Sequence, residues 1–188
     1  MHLETRPTAL PGCLELRPPR HADARGLFVK TFHADTFAAL GLPTTWAEQF
    51  YSHSAAGVLR GLHFQTPPHA HDKLVTCLQG RVWDVVLDLR LGSPTYGRHA
   101  VVELSAELGN ELFIPAGLAH GFCTLQGTAT LLYAVTTGYV PAADAGVRWD
   151  SAGIPWPLAE PLLSARDAAL PLLADYPSPF LDPDSGRA

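Results

Sequence analysis

Gly57-Val58-Leu59-Arg60-Gly61-Leu62-His63-Phe64-Gln65 alternates small or apolar side chains with polar ones. That is the period of a β-strand, here with a glycine inside it. An arginine and a histidine stand in an otherwise apolar segment. On a regular strand Arg60 and His63 fall on opposite faces. Both reach one site only if Gly61 carries a bulge, or if Arg60 lies at the rim. Read alone, the segment is a strand with one rim arginine and one satisfied histidine. Residues downstream change that reading. Lys73, the turn Pro115-Ala116-Gly117-Leu118-Ala119-His120, Tyr133 and Asp167 together describe a site for moving protons.

Outward from this stretch the chain is strand after strand. The patterns place strands near 46–52, 57–65, 73–79, 81–89, 99–104, 111–114, 120–126 and 129–137. Turns separate them at Thr66-Pro67-Pro68, Gln79-Gly80, Leu91-Gly92-Ser93-Pro94, Pro115-Ala116-Gly117 and Gln126-Gly127. Many short strands at close spacing argue for an all-β sandwich or barrel. Toward the N-terminus, Gly12 to Leu16 reads as a short strand. Asp23-Ala24-Arg25-Gly26 is turn chemistry followed by strand alternation. Residues 35–40 suit a short helix, with Asp35 as N-cap and Gly41 just past its end. In the tail, Pro155-Trp156-Pro157 is extended, and 164–169 suits a second short helix stopped before Pro171.

The chain has 188 residues, 47% apolar and 16% charged, which suits one domain over 1–188 with a sizeable core. A net charge of −5 gives no nucleic-acid footprint. Cys13, Cys77 and Cys123 form an odd set with no CxxC pair, which favours reduced thiols in a cytoplasm. The N-terminal residues show no apolar leader, and no apolar run reaches membrane-spanning length. Lys30 and Lys73 are the only lysines.

The chemistry-bearing residues each carry two readings. His63 near Lys73 and His120 makes a proton-transfer site: histidine titrates near neutrality, and a lysine with a second histidine stabilises an oxyanion. Tyr133 and Tyr139 share one face of a regular strand, as proton donor and aromatic platform or as ordinary strand packing. Ser164-Ala165-Arg166-Asp167 has the capping-box pattern, so Asp167 is a helix-start carboxylate or a catalytic one. The pair His69 and His71 follows Pro67-Pro68 and reads as an exposed loop.

Part of the chain resembles the cupin signature. Gly109, five residues, then Pro115-x-Gly117-x-x-His120 fits its second half. In the first half, counting back from Gly80 puts Lys73 where a metal-binding cupin has its glutamate, and Pro67 where a histidine belongs. A cation at a ligand position repels a metal, so no metal is expected.

The ordered set of motifs closely resembles the dTDP-4-dehydrorhamnose 3,5-epimerase family over about Leu10 to Leu173. It runs Asp23-x-Arg25-Gly26-x-Phe28, then Gly57 to Gln65, Lys73-Leu74-Val75, and Asp84-Val85-Val86-Leu87-Asp88-Leu89-Arg90. Ser93-Pro94-Thr95-Tyr96-Gly97, Ile114-Pro115-x-Gly117-x-Ala119-His120-Gly121-Phe122 and Leu163-Ser164-x-Arg166-Asp167 complete it. The resemblance implies a jelly-roll cupin barrel (a double-stranded β-helix) with short peripheral helices. It implies a cytoplasmic homodimer, N-terminal strands within 1–50 contributing to the dimer, a C-terminal tail over 160–188, and no cofactor. The substrate it implies is a nucleotide-diphospho-4-keto sugar, epimerised at C3 and/or C5 through an enolate. In that resemblance His63 is the base, Asp167 its orienting carboxylate, Tyr133 the proton donor and Lys73 the enolate-stabilising cation. Tyr139 stacks on the nucleotide base, and Arg25, Gln49, Arg60, His120, Asp144 and Arg166 contact the nucleotide sugar. Five positions depart from the family pattern: Lys30 for an acid, Phe50 for asparagine, Gly138 for an aromatic, Asp144 for glutamate and Arg166 for lysine. A metal-dependent cupin enzyme and a non-catalytic sugar-binding cupin are the alternatives.

Overall fold

The structure, a computed structural model, describes residues 2–182. Residues 183–188 of the expected tail lie outside the described residues. β1 (Glu4–Pro7) pairs with β2 (Leu14–Arg17), and a hairpin of β3 (Arg20–Asp23) and β4 (Gly26–Val29) follows. Helix α1 (Ala34–Ala39) leads into eight strands. These are β5 (Glu48–Ser54), β6 (Leu59–Gln65), β7 (Lys73–Gln79), β8 (Arg81–Asp88), β9 (His99–Ser105), β10 (Glu111–Ile114), β11 (Leu118–Thr124) and β12 (Ala129–Val135). β13 (Asp144–Gly146) and α2 (Ala165–Ala168) close the chain. Every strand expected from alternation is present, with its ends within two residues.

Two antiparallel sheets face each other, ordered β1-β2-β10-β7-β12-β5 and β13-β6-β11-β8-β9. The sheets interleave strands distant in sequence, which is the jelly-roll arrangement. Between them lies a core that includes Val75, Val82, Val86, Leu104, Leu112, Phe122 and Leu131. The outer faces are also covered. Leu62, Phe64, Val85 and Leu87 lie under Ile154, Trp156, Tyr176 and Phe180 of the C-terminal segment. Leu16, Leu74 and Phe113 lie under Phe32, Phe37 and Trp46. This explains why β8 and β11 read as nearly continuous apolar runs: both of their faces are buried.

The bulge anticipated at Gly61 exists. His63 pairs with His120 and Arg60 pairs with Phe122, so three steps on β6 match two on β11. The extra residue turns Arg60 to the same face as His63. Gly61 has φ +126°, and a Cβ there would stand 2.6 Å from the Gly121 Cα. No residue with a side chain fits without moving the neighbouring strand.

Helix α1 corrects one expectation. Its N-cap is His33 rather than Asp35, and no side chain caps it; Asp35 sits in the first turn. There its charge still favours the helix N-terminus. The end is as read: Gly41 takes φ +70°, its N–H reaches the Ala38 carbonyl at 3.0 Å, and Leu42 N–H reaches Phe37 at 2.9 Å. That is a Schellman closure.

Candidate active site

A cavity of about 460 Å³ opens between the two sheets. Lining groups come from β5, β6, β7, β11 and β12, with Tyr139, Asp144 and Arg166 at its side. His63 and Tyr133 sit on opposing sheets, so the cavity separates them as two walls.

The His63 wall is built by α2. Ser164 caps this helix, accepting the Asp167 N–H at 3.0 Å. Asp167 is therefore the helix-start acid that the capping box required. Its side chain, however, does not turn back to the cap. One carboxylate oxygen meets His63 Nε2 at 2.6 Å, and the other accepts the Gly61 N–H at 3.3 Å. Both readings of Asp167 hold at once. Burial pushes its carboxyl up, but the hydrogen bond and charge of His63, with the Gly61 N–H and the Arg166 charge, outweigh that and hold it below the usual range. An ionised Asp167 keeps the proton of a neutral His63 on Nε2, leaving Nδ1 as the basic nitrogen. The His63 side chain is 28% exposed and opens to the cavity.

Lys73 stands beside it, its ammonium donating to the His63 carbonyl at 3.2 Å. Burial lowers its pKa to about 8, against the opposing pull of Asp144 and Asp84. It stays mostly charged at neutral pH. His120 is held at 2.9–3.0 Å by both oxygens of the fully buried Asp84. Sequence reading missed Asp84 as the partner of His120: it stood in a strand motif with nothing to show that it faces inward. Burial pushes its carboxyl up, opposed by His120 and Lys73.

On the facing wall the Tyr133 ring is 7% exposed, and its hydroxyl lies 3.4 Å from Ser52 Oγ. Burial, the largest influence, pushes its pKa up, so it carries its proton at neutral pH. Phe50, a departure from the family pattern, stacks on it with centroids 4.9 Å apart and planes 15° apart. An offset stack of this kind fixes the phenol by packing where asparagine would offer a hydrogen bond.

The remaining expected residues divide. Arg60, His120, Tyr139, Asp144 and Arg166 all line the cavity. Two departures compensate each other: the shortened Asp144 meets the lengthened Arg166 at 2.7 Å. Arg25 and Gln49 do not line the cavity of their own chain. Arg25 is at the tip of the exposed hairpin, 90% exposed and paired with Asp23. Gln49 lies on the other face of β5, beside Trp46 and Leu74; Glu48, Phe50 and Ser52 face inward. His71 is another correction: it is partly buried and lines the cavity rather than an exposed loop. Among the described residues, no group of three or more His, Cys, Asp or Glu is placed to hold a metal ion.

Comparison with known proteins gives a consistent result. Residues 7–175 match the sequence model for dTDP-4-dehydrorhamnose 3,5-epimerase. The dTDP-4-dehydrorhamnose 3,5-epimerase of Salmonella typhimurium is 45% identical over 170 residues, covering 88% of this chain and 93% of the relative. The dTDP-4-dehydrorhamnose 3-epimerase of Streptomyces niveus is 41% identical over 176 residues, covering 92% and 85%. The crystal structure of a dTDP-6-deoxy-D-glucose-3,5-epimerase from Legionella pneumophila in complex with dTDP-4-keto-L-rhamnose superposes with a TM-score of 0.90. It is 36% identical, with 96% of this chain and 97% of that chain covered.

Proposed function

Because the chain belongs to the dTDP-4-dehydrorhamnose 3,5-epimerase family, we propose that His63 and Tyr133 are the two proton-transfer groups of its reaction. The chain is an isomerase that epimerises a nucleotide-linked 4-keto-6-deoxy sugar at C3 and/or C5. Its relatives favour neither a metal-dependent nor a non-catalytic cupin. The observation that carries the assignment is the 2.6 Å contact of His63 with Asp167, on the wall facing a buried, protonated Tyr133.

The C4 ketone acidifies the protons on C3 and C5. His63 removes one through Nδ1, and Asp167 stabilises the imidazolium that forms. The negative charge passes to the C4 oxygen, where Lys73 holds it. Tyr133 returns a proton from the opposite face and inverts the centre. Tyr139 is the platform for the nucleotide base, with deoxythymidine diphosphate as the nucleotide. Arg60, His120, Asp144 and Arg166 hold the remainder of the nucleotide sugar.

This scheme fixes a pH dependence. Lys73 is charged below about 8 and neutral above it. The oxyanion therefore loses its cation as the pH rises through that value. For protein dialysed against a chelator, kcat/KM on a dTDP-4-keto-6-deoxy sugar is expected to stay intact at pH 7 and fall above about pH 8. Loss of activity on chelation, or a flat profile to pH 10 or so, contradicts it.

Arg25, remote from the cavity of its own chain, is accounted for by a homodimer. The hairpin exposes Leu27 at 44% and Phe28 at 60%, and β5 exposes Tyr51 at 71% at a sheet edge. Pairing two copies over these surfaces covers them and brings Arg25 to the partner's cavity. Light scattering at micromolar concentration should give twice the mass of one chain, and a monomer would refute the pairing.

A further inference from the structure

We propose that the buried Gln65 is a positioning residue for the nucleotide platform, its amide gripping the backbone on both sides of Tyr139. The inference rests on the reading of Tyr139 as that platform. Gln65 is 3% exposed. Its Oε1 accepts the Val140 N–H at 2.6 Å, and its Nε2 donates to the Gly138 carbonyl at 3.2 Å. The same nitrogen also faces the His69 carbonyl at 3.0 Å and His71 Nδ1 at 3.1 Å. The partners settle which end is which: a backbone N–H only donates and carbonyls only accept. Every acceptor lies on one side of the amide and the donor on the other.

Between these two anchors, the Tyr139 N–H donates to Glu48 Oε2 at 2.7 Å. Three consecutive residues are thus held by side chains from β5 and β6, which belong to facing sheets. Tyr139 itself is 60% exposed. Its hydroxyl contacts Asp144 at 3.2 Å, but the ring stands out from the protein. Gly138 beside it has no side chain to support it. An exposed ring with one tether has no packing to fix its plane, so the plane is fixed through the backbone. His71 completes the grip from behind. Burial and the nearby Lys73 lower its pKa to about 4, so at neutral pH its ring is uncharged and Nδ1 accepts from Gln65. The Thr137 backbone lies close enough to favour a protonated ring, yet Nε2 makes no hydrogen bond. Gln65 also borders the cavity, but its amide is engaged by protein groups at both ends, so it acts on substrate through where it holds Tyr139.

The test is a double-mutant cycle in the full-length protein, using a dTDP-4-keto-6-deoxy sugar. Gln65→Met keeps the volume and removes both hydrogen-bonding ends. It should raise KM about tenfold and leave kcat within about twofold. In a Tyr139→Ala background the same change should add nothing to KM, because the group it positions is gone. Full additivity, or a loss in kcat with KM unchanged, overturns the inference while leaving the platform intact. An unchanged KM in Tyr139→Ala alone overturns the platform reading and this inference with it. Should Gln65→Met fail to fold, the wild type decides by amide hydrogen exchange. The Val140 amide should be protected although its neighbour is exposed, and exchange at the free-peptide rate overturns the grip.

Discussion

His63→Asn should lower turnover by roughly 10²–10⁴-fold, the contribution typical of a positioned base. Asparagine ends about where Nδ1 stood and falls short of Asp167, so that carboxylate keeps only the Gly61 N–H while the Ser164 cap still holds the start of α2. What is lost is the imidazole, and with it the basic nitrogen. Exchange of the C3 and C5 protons with solvent should stop together with product formation, because both begin with the same abstraction. The measurement is proton NMR of the substrate in deuterated buffer. Wild-type exchange in His63→Asn would remove His63 as the base and point to His120, its neighbour across β6 and β11. Asp84 already occupies one nitrogen of that ring.

Tyr133→Phe separates the two halves of the reaction. The change deletes one hydroxyl and keeps the ring that stacks on Phe50. Little packing is lost, and the 3.4 Å contact with Ser52 is the only hydrogen bond given up among those observed. Abstraction by His63 should continue. Deuterium should enter the substrate with its original configuration, returned from the face it left. Inversion should fall on the order of 10²-fold or more, the loss expected for a positioned acid. If both tyrosine readings were core packing, Tyr133→Phe would be as active as the wild type. Normal inversion would leave Tyr139 as the first alternative donor, although its hydroxyl is engaged with Asp144.

The sequence carries the barrel clearly because its strands are amphipathic or wholly apolar, and alternation is a local property. Gly61 shows how far such reasoning reaches. Parity required either a bulge or a rim position for Arg60 if Arg60 and His63 were to share a site, and the register provides the bulge. The same reasoning fails at β1 and β3. Arg20–Asp23 is exposed at every position, so no burial pattern marks it as a strand. Its pairing with β4 is written only in the turn between them.

Site residues were legible where a motif isolates them and illegible where a contact joins distant strands. Asp167 was visible as a capping acid, but nothing near it in sequence announces a histidine 104 positions earlier. Asp84 and His120 are 36 positions apart and meet only because β8 and β11 are paired. On β5 a one-residue error of face picked Gln49, whereas Glu48 and Phe50 point inward. That strand has polar and aromatic residues on both faces, so its pattern names no inside. His71 was misread because Pro67-Pro68 signals a loop, and a loop folded back over a cavity looks the same in sequence as one in solvent.

The most direct measurement is the fate of deuterium in the wild-type reaction. The protein is incubated with a dTDP-4-keto-6-deoxy sugar in heavy water, and the sugar is followed by NMR at C3 and C5. Two facing proton-transfer groups predict inversion at one or both carbons, with one solvent deuterium at each inverted centre. Inversion with the original hydrogen retained at those carbons, or deuterium entry without any inversion, would contradict the account.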